Sequence, residues 1–417
     1  MAYNACVTNS ERPAWRAVFL LIVGYTAYYF CRTNFSVGRP SQLVELAQQG
    51  ISTEAATVAL GRIATIGVVA GICGKFLAGR TVAKLGGVRA FVLGGLCAAL
   101  ATIAFGLGHG IPVFALCWIA NRAFQTVGWP ATVRIIGSWF TAGSYGKAMG
   151  IVSLSWLFGD ALSRAAQARL LASGWDWRGV YFASAGGLLS IILLCALFLR
   201  EKTIEAQASE KPHTPIPLRE LFKRPAFLCV CVAAFGFTLV NVTLSEWLPV
   251  YFTGIGLSQG AAALASGLYP LAGGVSAVAF GVWGDRVGSD GRLKLLLAGL
   301  LLTALIMASF LLARTPLIAF VLVTLSGLVA GGPYAYTVGA AALDLVEPKQ
   351  AASVNGMIDG MGYLGAILAG EAVARLAVAL GWNGAFAALA GVCLLASTLL
   401  AFLIWRSPRE AKRDRVQ

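Results

Sequence analysis

Apolar residues recur along this chain in runs of about twenty, separated by short clusters of polar and charged positions. A helix of that length rises about 30 Å, which is the depth of a bilayer's hydrocarbon core. Reading the runs against Gly, Pro and charged breakers predicts spans at 15–38, 56–78, 88–108, 111–137, 148–171, 178–200, 226–253, 258–283, 292–313, 316–342, 352–375 and 382–405. The pattern therefore predicts an all-α membrane protein of twelve transmembrane helices. An even number puts both termini on one side.

Composition removes the soluble alternative. The 417 residues are 58% hydrophobic and 12% charged, with a mean hydropathy of +0.77, against about 25% charged in ordinary globular proteins. The net charge of +14 does not point to nucleic acid, because the charges sit in loops between apolar runs and form no basic stripe. Their placement orients the chain instead. With cytoplasmic termini, 22 of the 32 basic residues fall in tails and inner loops. Arg39, Arg169, Arg178, Arg314 and Arg375 lie toward the outer face, and Arg32, Arg62, Lys75, Arg122 and Arg164 lie within spans. That asymmetry is the positive-inside rule, and it gives an N-in, C-in, multi-pass protein of the cell inner (plasma) membrane. The first 16 residues are polar, and the run from Ala17 has the length of a retained span rather than a cleaved signal.

The nine cysteines, all but Cys6 inside apolar runs, have no metal-ligand spacing with the two histidines, His109 and His213. They read as packing residues. No metal or other cofactor is expected. No nucleophile–base pair or phosphate-binding Gly loop suggests an enzyme, so no catalytic residues are assigned.

The chain reads as two halves. Residues 1–200 form an N-terminal six-helix bundle and 226–417 a C-terminal one with a basic tail. The linker 201–225 is broken early by Pro212, Pro215 and Pro217, and Ile216–Pro225 reads as a short amphipathic helix on the membrane surface. Gly174-Trp175 and Gly381-Trp382 recur 207 residues apart, and Arg200 and Arg406 recur 206 apart. The loop Gly79-Arg80…Lys84-Leu-Gly-Gly-Val-Arg89 matches Gly281-Val-Trp-Gly-Asp285-Arg286-Val-Gly288 in the same way. Two pseudo-symmetric six-helix units are the pattern of secondary transporters.

Tyr25, Tyr29 and Arg32 are four and three residues apart, so they share one helical face. An arginine that deep costs at least ~2.5 kcal/mol on insertion scales unless it faces water, a counter-ion or a substrate. Its planar fork suits phosphate or carboxylate. A structural ion pair with a neighbouring acid is the alternative.

Motifs now narrow the family. The sequence GxxxDRxG at 281–288, followed by Arg292, resembles the inner-loop motif of the major facilitator superfamily. Asp285 and Arg286, with Lys75 and Arg80 in the first half, are the corresponding gating residues. Three stretches resemble the organophosphate:phosphate antiporters: Gly24-Tyr25-Thr-Ala-Tyr28-Tyr29-Phe-Cys-Arg32-Thr33-Asn34-Phe35, Gly74-Lys75-Phe76, and Phe124-Gln125-Thr-Val-Gly128-Trp129-Pro130 with Arg134. The resemblance implies that Tyr25, Tyr29 and Arg32 meet the substrate phosphate. It also implies a second cation on helix seven, just before Glu246-Trp247-Leu-Pro249-Val-Tyr251. Here that position is Asn241, and a lysine expected after Arg32 is Thr33. With one cation missing, either another substitutes or the substrate carries less charge.

Arg122 and Arg164 are the visible substitutes. Asp160 lies four residues before Arg164, so the two could neutralise each other. Alternatively Asp160 pairs with Arg122 or Arg32 until an anion displaces it, or carries a proton. Tyr269, Tyr334 and Asp359 complete the expected substrate-binding set with Asn241. The expected function is secondary transport of a small organic anion, a phosphate ester or carboxylate, coupled to phosphate or protons in a monomer without a nucleic-acid partner. A transporter-like sugar-phosphate receptor and a proton-driven exporter are the alternatives.

Overall fold

In a computed structural model the described residues are 2–202 and 218–413, and within them the chain is helical throughout. The linker positions Lys211, Pro212, Pro215, Ile216 and Pro217 lie outside them. Helices run α1 Ala2–Gln48, α2 Thr53–Leu85, α3 Gly87–Leu107, α4 Ile111–Gln125, α5 Gly128–Trp139, α6 Ala142–Ala172 and α7 Trp177–Phe198. A short α8, Leu218–Phe222, precedes α9 Pro225–Gly254, α10 Gln259–Ser266, α11 Leu268–Ser309, α12 Pro316–Gly339, α13 Pro348–Leu368 and α14 Glu371–Arg413. Two compact units result: α1–α7 with α10, and α8, α9 with α11–α14.

Among the described residues, eight stretches are long and apolar enough to cross a bilayer. Two of them, Gln259–Leu312 and Ser353–Arg406, are 54 residues long and turn at glycines that only a residue without Cβ adopts easily. Gly288 has φ 68° inside α11 and Gly381 has φ 70° inside α14. Side chains such as Phe19, Phe76, Leu116, Leu305, Leu317 and Leu395 point outward from the bundles, as a lipid-facing surface requires.

The structure departs from the hydropathy reading in several places. The first helix does not stop at residue 38 but passes through Pro40 to Gln48. The expected spans 111–137, 258–283 and 352–375 are each broken, the last between Leu368 and Glu371. Thr126 turns its hydroxyl back onto the Ala123 carbonyl (2.6 Å), and Pro130 has no N–H to give to Thr126. Ser266 bonds back to the Ala263 carbonyl (2.7 Å), and Pro270 follows at the same distance in sequence. A hydroxyl competing with the ladder, four residues before a proline, ends a helix without any change in hydropathy.

In the first unit, α1 packs mainly on α6 and α7, and α2 packs on α4. The break between α4 and α5 is clasped closely: a Cβ at Gly74 of α2 would strike Thr126, and one at Gly94 of α3 would strike Val127.

In the second unit the tightest pair is α11 with α12. A Cβ at Gly327 or Gly331 would lie inside the backbone of Tyr269 or Gly273, so these helices touch main chain to main chain. Ser276 of α11 then enters the ladder of α12. Its hydroxyl accepts from the Gly332 N–H (2.9 Å) and donates to the Leu328 carbonyl (2.6 Å). An unbroken helix would pair those two groups with each other. Pro333 removes the next rung.

Two glycine substitutions separate contact from propensity. Gly331→Ala should lower the unfolding midpoint of the detergent-purified protein, at a cost of about 1–3 kcal/mol for overpacking. Gly356→Ala on α13, where a Cβ meets nothing within 4 Å, should leave the midpoint unchanged or raise it slightly. Differential scanning fluorimetry of the pair checks both.

Candidate functional site

The face of α1 predicted from spacing is assembled as a set. Tyr28 turns to α3, its hydroxyl donating to the Phe91 carbonyl (2.5 Å), which fixes the rotation of α1. Tyr25 then lies against Trp129 at the start of α5, with ring centroids 5.3 Å apart, and edge-on to Tyr29 at 6.0 Å. The half-buried Arg32 guanidinium sits 4.7 Å above the Tyr29 ring. It donates from Nη1 to the Tyr29 hydroxyl (3.2 Å) and from Nε to Gln125 Oε1 (2.9 Å). Aromatic face and amide oxygen are both oriented toward the cation.

Arg122 reaches the same neighbourhood from α4. Its guanidinium is 5.9 Å from the Trp118 ring, and Gly67 of α2 leaves room for its stem. The structure thus brings Tyr25, Tyr29 and Arg32 together on α1, with Arg122 on the neighbouring α4 and Asp160 on the neighbouring α6.

Arg164 is spent differently. Its Nε pairs with Asp160 Oδ1 at 2.5 Å, and Nη1 donates to Ser36 of α1 (3.1 Å) and Ser266 of α10 (3.0 Å). It is 2% exposed. The mutual pairing of Asp160 and Arg164 is therefore present, and it ties three helices of the first unit.

Gln125 and Asn121 were missed as site residues. Gln125 stood inside a quoted motif, but nothing in a sequence tells which neighbouring helix an amide will meet. Both are 2% exposed and hydrogen-bonded to each other at 2.8 Å.

In the second unit, Asn241 donates to the Tyr269 hydroxyl (3.2 Å), so two of the four predicted residues meet. Tyr334 packs at the edge of that unit's apolar core, and Asp359 is half-buried on α13. Trp247 is fully buried and donates to the Ala369 carbonyl (2.8 Å).

The expected gating charges are arranged around partners that sequence did not supply. Arg292 is the centre in the second unit: Nη1 meets both Asp344 oxygens (2.5 and 2.7 Å), Nη2 meets Asp285 (3.1 Å), and Nε meets the Gly284 carbonyl (2.9 Å). Tyr336 also donates to Asp344 (2.6 Å). Asp285 itself is 83% exposed, and Arg286 is exposed. In the first unit Lys75 and Arg80 have exposed side chains. The tie there is Arg134 with Glu201 (2.5 Å). Glu201 also caps α3 through the Gly87 N–H (2.6 Å), and Arg134 holds the Val82 carbonyl at the end of α2 (3.1 Å).

This is the architecture of a membrane transporter. A family model described as Major Facilitator Superfamily matches residues 21–370 and 254–417, and the chain belongs to that superfamily. It is 26% identical to a putative glycerol-3-phosphate transporter of Arabidopsis thaliana, over 71% of this chain and 70% of the relative. It is also 26% identical to the membrane sensor protein UhpC of Escherichia coli (strain K12), over 95% and 94%. A glucose-6-phosphate exchanger of Bos taurus shares 26% over 94% of both chains. These relatives are of the organophosphate group that the first-half motifs resemble. Among solved structures, a bacterial homologue of the human lysosomal transporter Spinster, inward-facing and occupied, superimposes with a TM-score of 0.74 at 17% identity, covering 94% of this chain and 96% of that one.

Removing one partner of the Asp160–Arg164 pair should strand a buried guanidinium. Asp160→Asn is expected to cost about 3 kcal/mol, read as a lowered unfolding midpoint. The double variant Asp160→Asn/Arg164→Met should recover most of that loss.

Proposed function

We propose that this protein carries small phosphate esters across the inner membrane by alternating access, with twelve spans in two six-helix halves and both termini cytoplasmic. Several features support the topology. Each broken helix makes one crossing (α4 with α5, and α10 with the first leg of α11), and each glycine-turned helix supplies parts of two. With both termini cytoplasmic, 22 of the 32 basic residues fall in tails and inner loops, as the positive-inside rule favours. The halves divide at the 201–225 linker, and the protein works as a monomer, without nucleic acid.

The observation that carries the substrate class is Arg32, held in an apolar helix by the ring and hydroxyl of Tyr29 and the amide of Gln125. The planar fork of that guanidinium suits the oxygens of a phosphate. Arg122 supplies the second positive charge of the first unit, and Tyr25 and Tyr29 flank the site. The relatives named for glycerol-3-phosphate and glucose-6-phosphate favour an ester over a bare carboxylate. Asn241 and Tyr269, with Tyr334 and Asp359, are the second unit's contribution: neutral hydrogen-bonding groups suited to a polyol end. Lys75 and Arg80 toward the end of α2, and Asp285 and Arg286 on α11 before its turn at Gly288, are the gating residues, working with the Arg134–Glu201 and Arg292–Asp344 ties. Coupling is to inorganic phosphate in exchange, as the exchanger relative favours, with Asp160 as the proton site if transport is proton-driven instead.

A receptor role is the second reading, favoured by the sensor relative that matches nearly the whole chain. Purified protein in phosphate-loaded proteoliposomes separates the two. Uptake of labelled glycerol-3-phosphate or glucose-6-phosphate, dependent on internal phosphate, is expected for a transporter; binding without flux is expected for a receptor. Arg32→Ala should abolish uptake, and Arg32→Lys, which keeps the charge but loses the planar fork, should reduce it about tenfold or more. Full uptake by Arg32→Ala would remove Arg32 from the site.

A further inference from the structure

Building on Arg32 as an anion-binding group, we propose that Asn121 is a positioning residue which sets the Arg32 guanidinium through Gln125. The argument is one of donor and acceptor bookkeeping along a buried rail. The Cys31 carbonyl can only accept, so the side of Gln125 facing it (3.1 Å) is Nε2. The second Nε2 proton goes to Asn121 Oδ1 (2.8 Å). Oε1 is left for the Arg32 Nε–H (2.9 Å).

Asn121 is fixed by the same logic. Its Nδ2 donates to the Ala98 carbonyl (3.2 Å) and to Thr102 Oγ1 (2.9 Å). The Thr102 hydroxyl gives its own proton to Ala98 (2.9 Å), so its oxygen accepts. Both Nδ2 protons are thereby committed, and Oδ1 must face Gln125. Two backbone carbonyls, Ala98 on α3 and Cys31 on α1, thus give the rail a single polarity. Turning either amide over would set donor against donor and acceptor against acceptor at every joint.

Asn121, Gln125 and Thr102 are each 2% exposed, so water cannot relieve a reversed joint. The rail ends on an amide oxygen rather than a carboxylate. It therefore fixes the direction of the Arg32 Nε–H, and with it the plane that the guanidinium fork presents to an anion.

The experiment has two arms. In phosphate-loaded proteoliposomes, Asn121→Leu should raise the KM for glycerol-3-phosphate about tenfold while the maximal rate stays within about twofold. Gln125→Leu should behave alike, and the double variant should be no worse than Gln125→Leu alone, because Asn121 acts through Gln125. A KM unchanged in Asn121→Leu, or additive losses in the double variant, overturns the proposal. The second arm needs no substrate: hydrogen exchange at the Arg32 Nε–H, followed by NMR of arginine-labelled protein in nanodiscs and assigned as the resonance missing in Arg32→Lys. Asn121→Leu should speed that exchange about tenfold or more; exchange at the wild-type rate overturns the proposal. If neither glycerol-3-phosphate nor glucose-6-phosphate is transported by the wild type, the transport reading fails while the exchange arm still decides the role of Asn121. Should Asn121→Leu not fold, Asn121→Ala, which leaves a gap instead of a clash, carries the same expectations.

Discussion

A positive charge placed inside an apolar helix bundle has to be met by fixed partners, and the kind of partner decides what the charge can still do. Arg164 meets a carboxylate and two serine hydroxyls, which makes it a tie between helices. Arg32 meets an aromatic face, a phenol and an amide, which orient its guanidinium. Both are arginines within spans; the sequence sets Arg32 on the Tyr25–Tyr29 face and leaves Arg164 as a substitute cation or as the partner of Asp160.

The same economy governs the ends of the helices. In the first unit the tie joins Arg134, Glu201 and the backbone where α2 passes into α3. In the second it joins Arg292, Asp344 and the Gly284 carbonyl. In each, one arginine bonds a carboxylate and a main-chain carbonyl together, so a single side chain fixes the helix end to the carboxylate. The motif residues that identify the family, Asp285 and Arg286, stand at the exposed rim of this arrangement, while its buried members come from α12's end and from residue 201.

Much of the architecture was legible because the hydrophobic pattern is a direct record of which segments avoid water. The face carrying Tyr25, Tyr29 and Arg32 was legible for an equally local reason, the periodicity of one helix. What escaped were effects that hydropathy does not sum. Thr126 and Pro130, or Ser266 and Pro270, break a helix through hydrogen-bond competition within an unbroken apolar run. Gln125 and Asn121 escaped because an amide's role depends on the carbonyl across from it, and Ala98 and Cys31 are read as apolar positions. The latches were visible in Asp285 and Arg292, but Asp344 and Glu201 lie far along the chain from the loops they close.

The Ser276 hydroxyl bridging Leu328 and Gly332 has a mechanical meaning. A helix bonded in this way to its neighbour cannot slide or roll against it without opening two hydrogen bonds between a side-chain hydroxyl and the main chain in a buried interface. The glycine contacts beside it leave no layer of side chains to act as a bearing. Within the second unit, α12 and the first leg of α11 therefore move as one lever, and any bending has to be taken up at the ends of that lever, at Pro333 and at the turn beside Gly267.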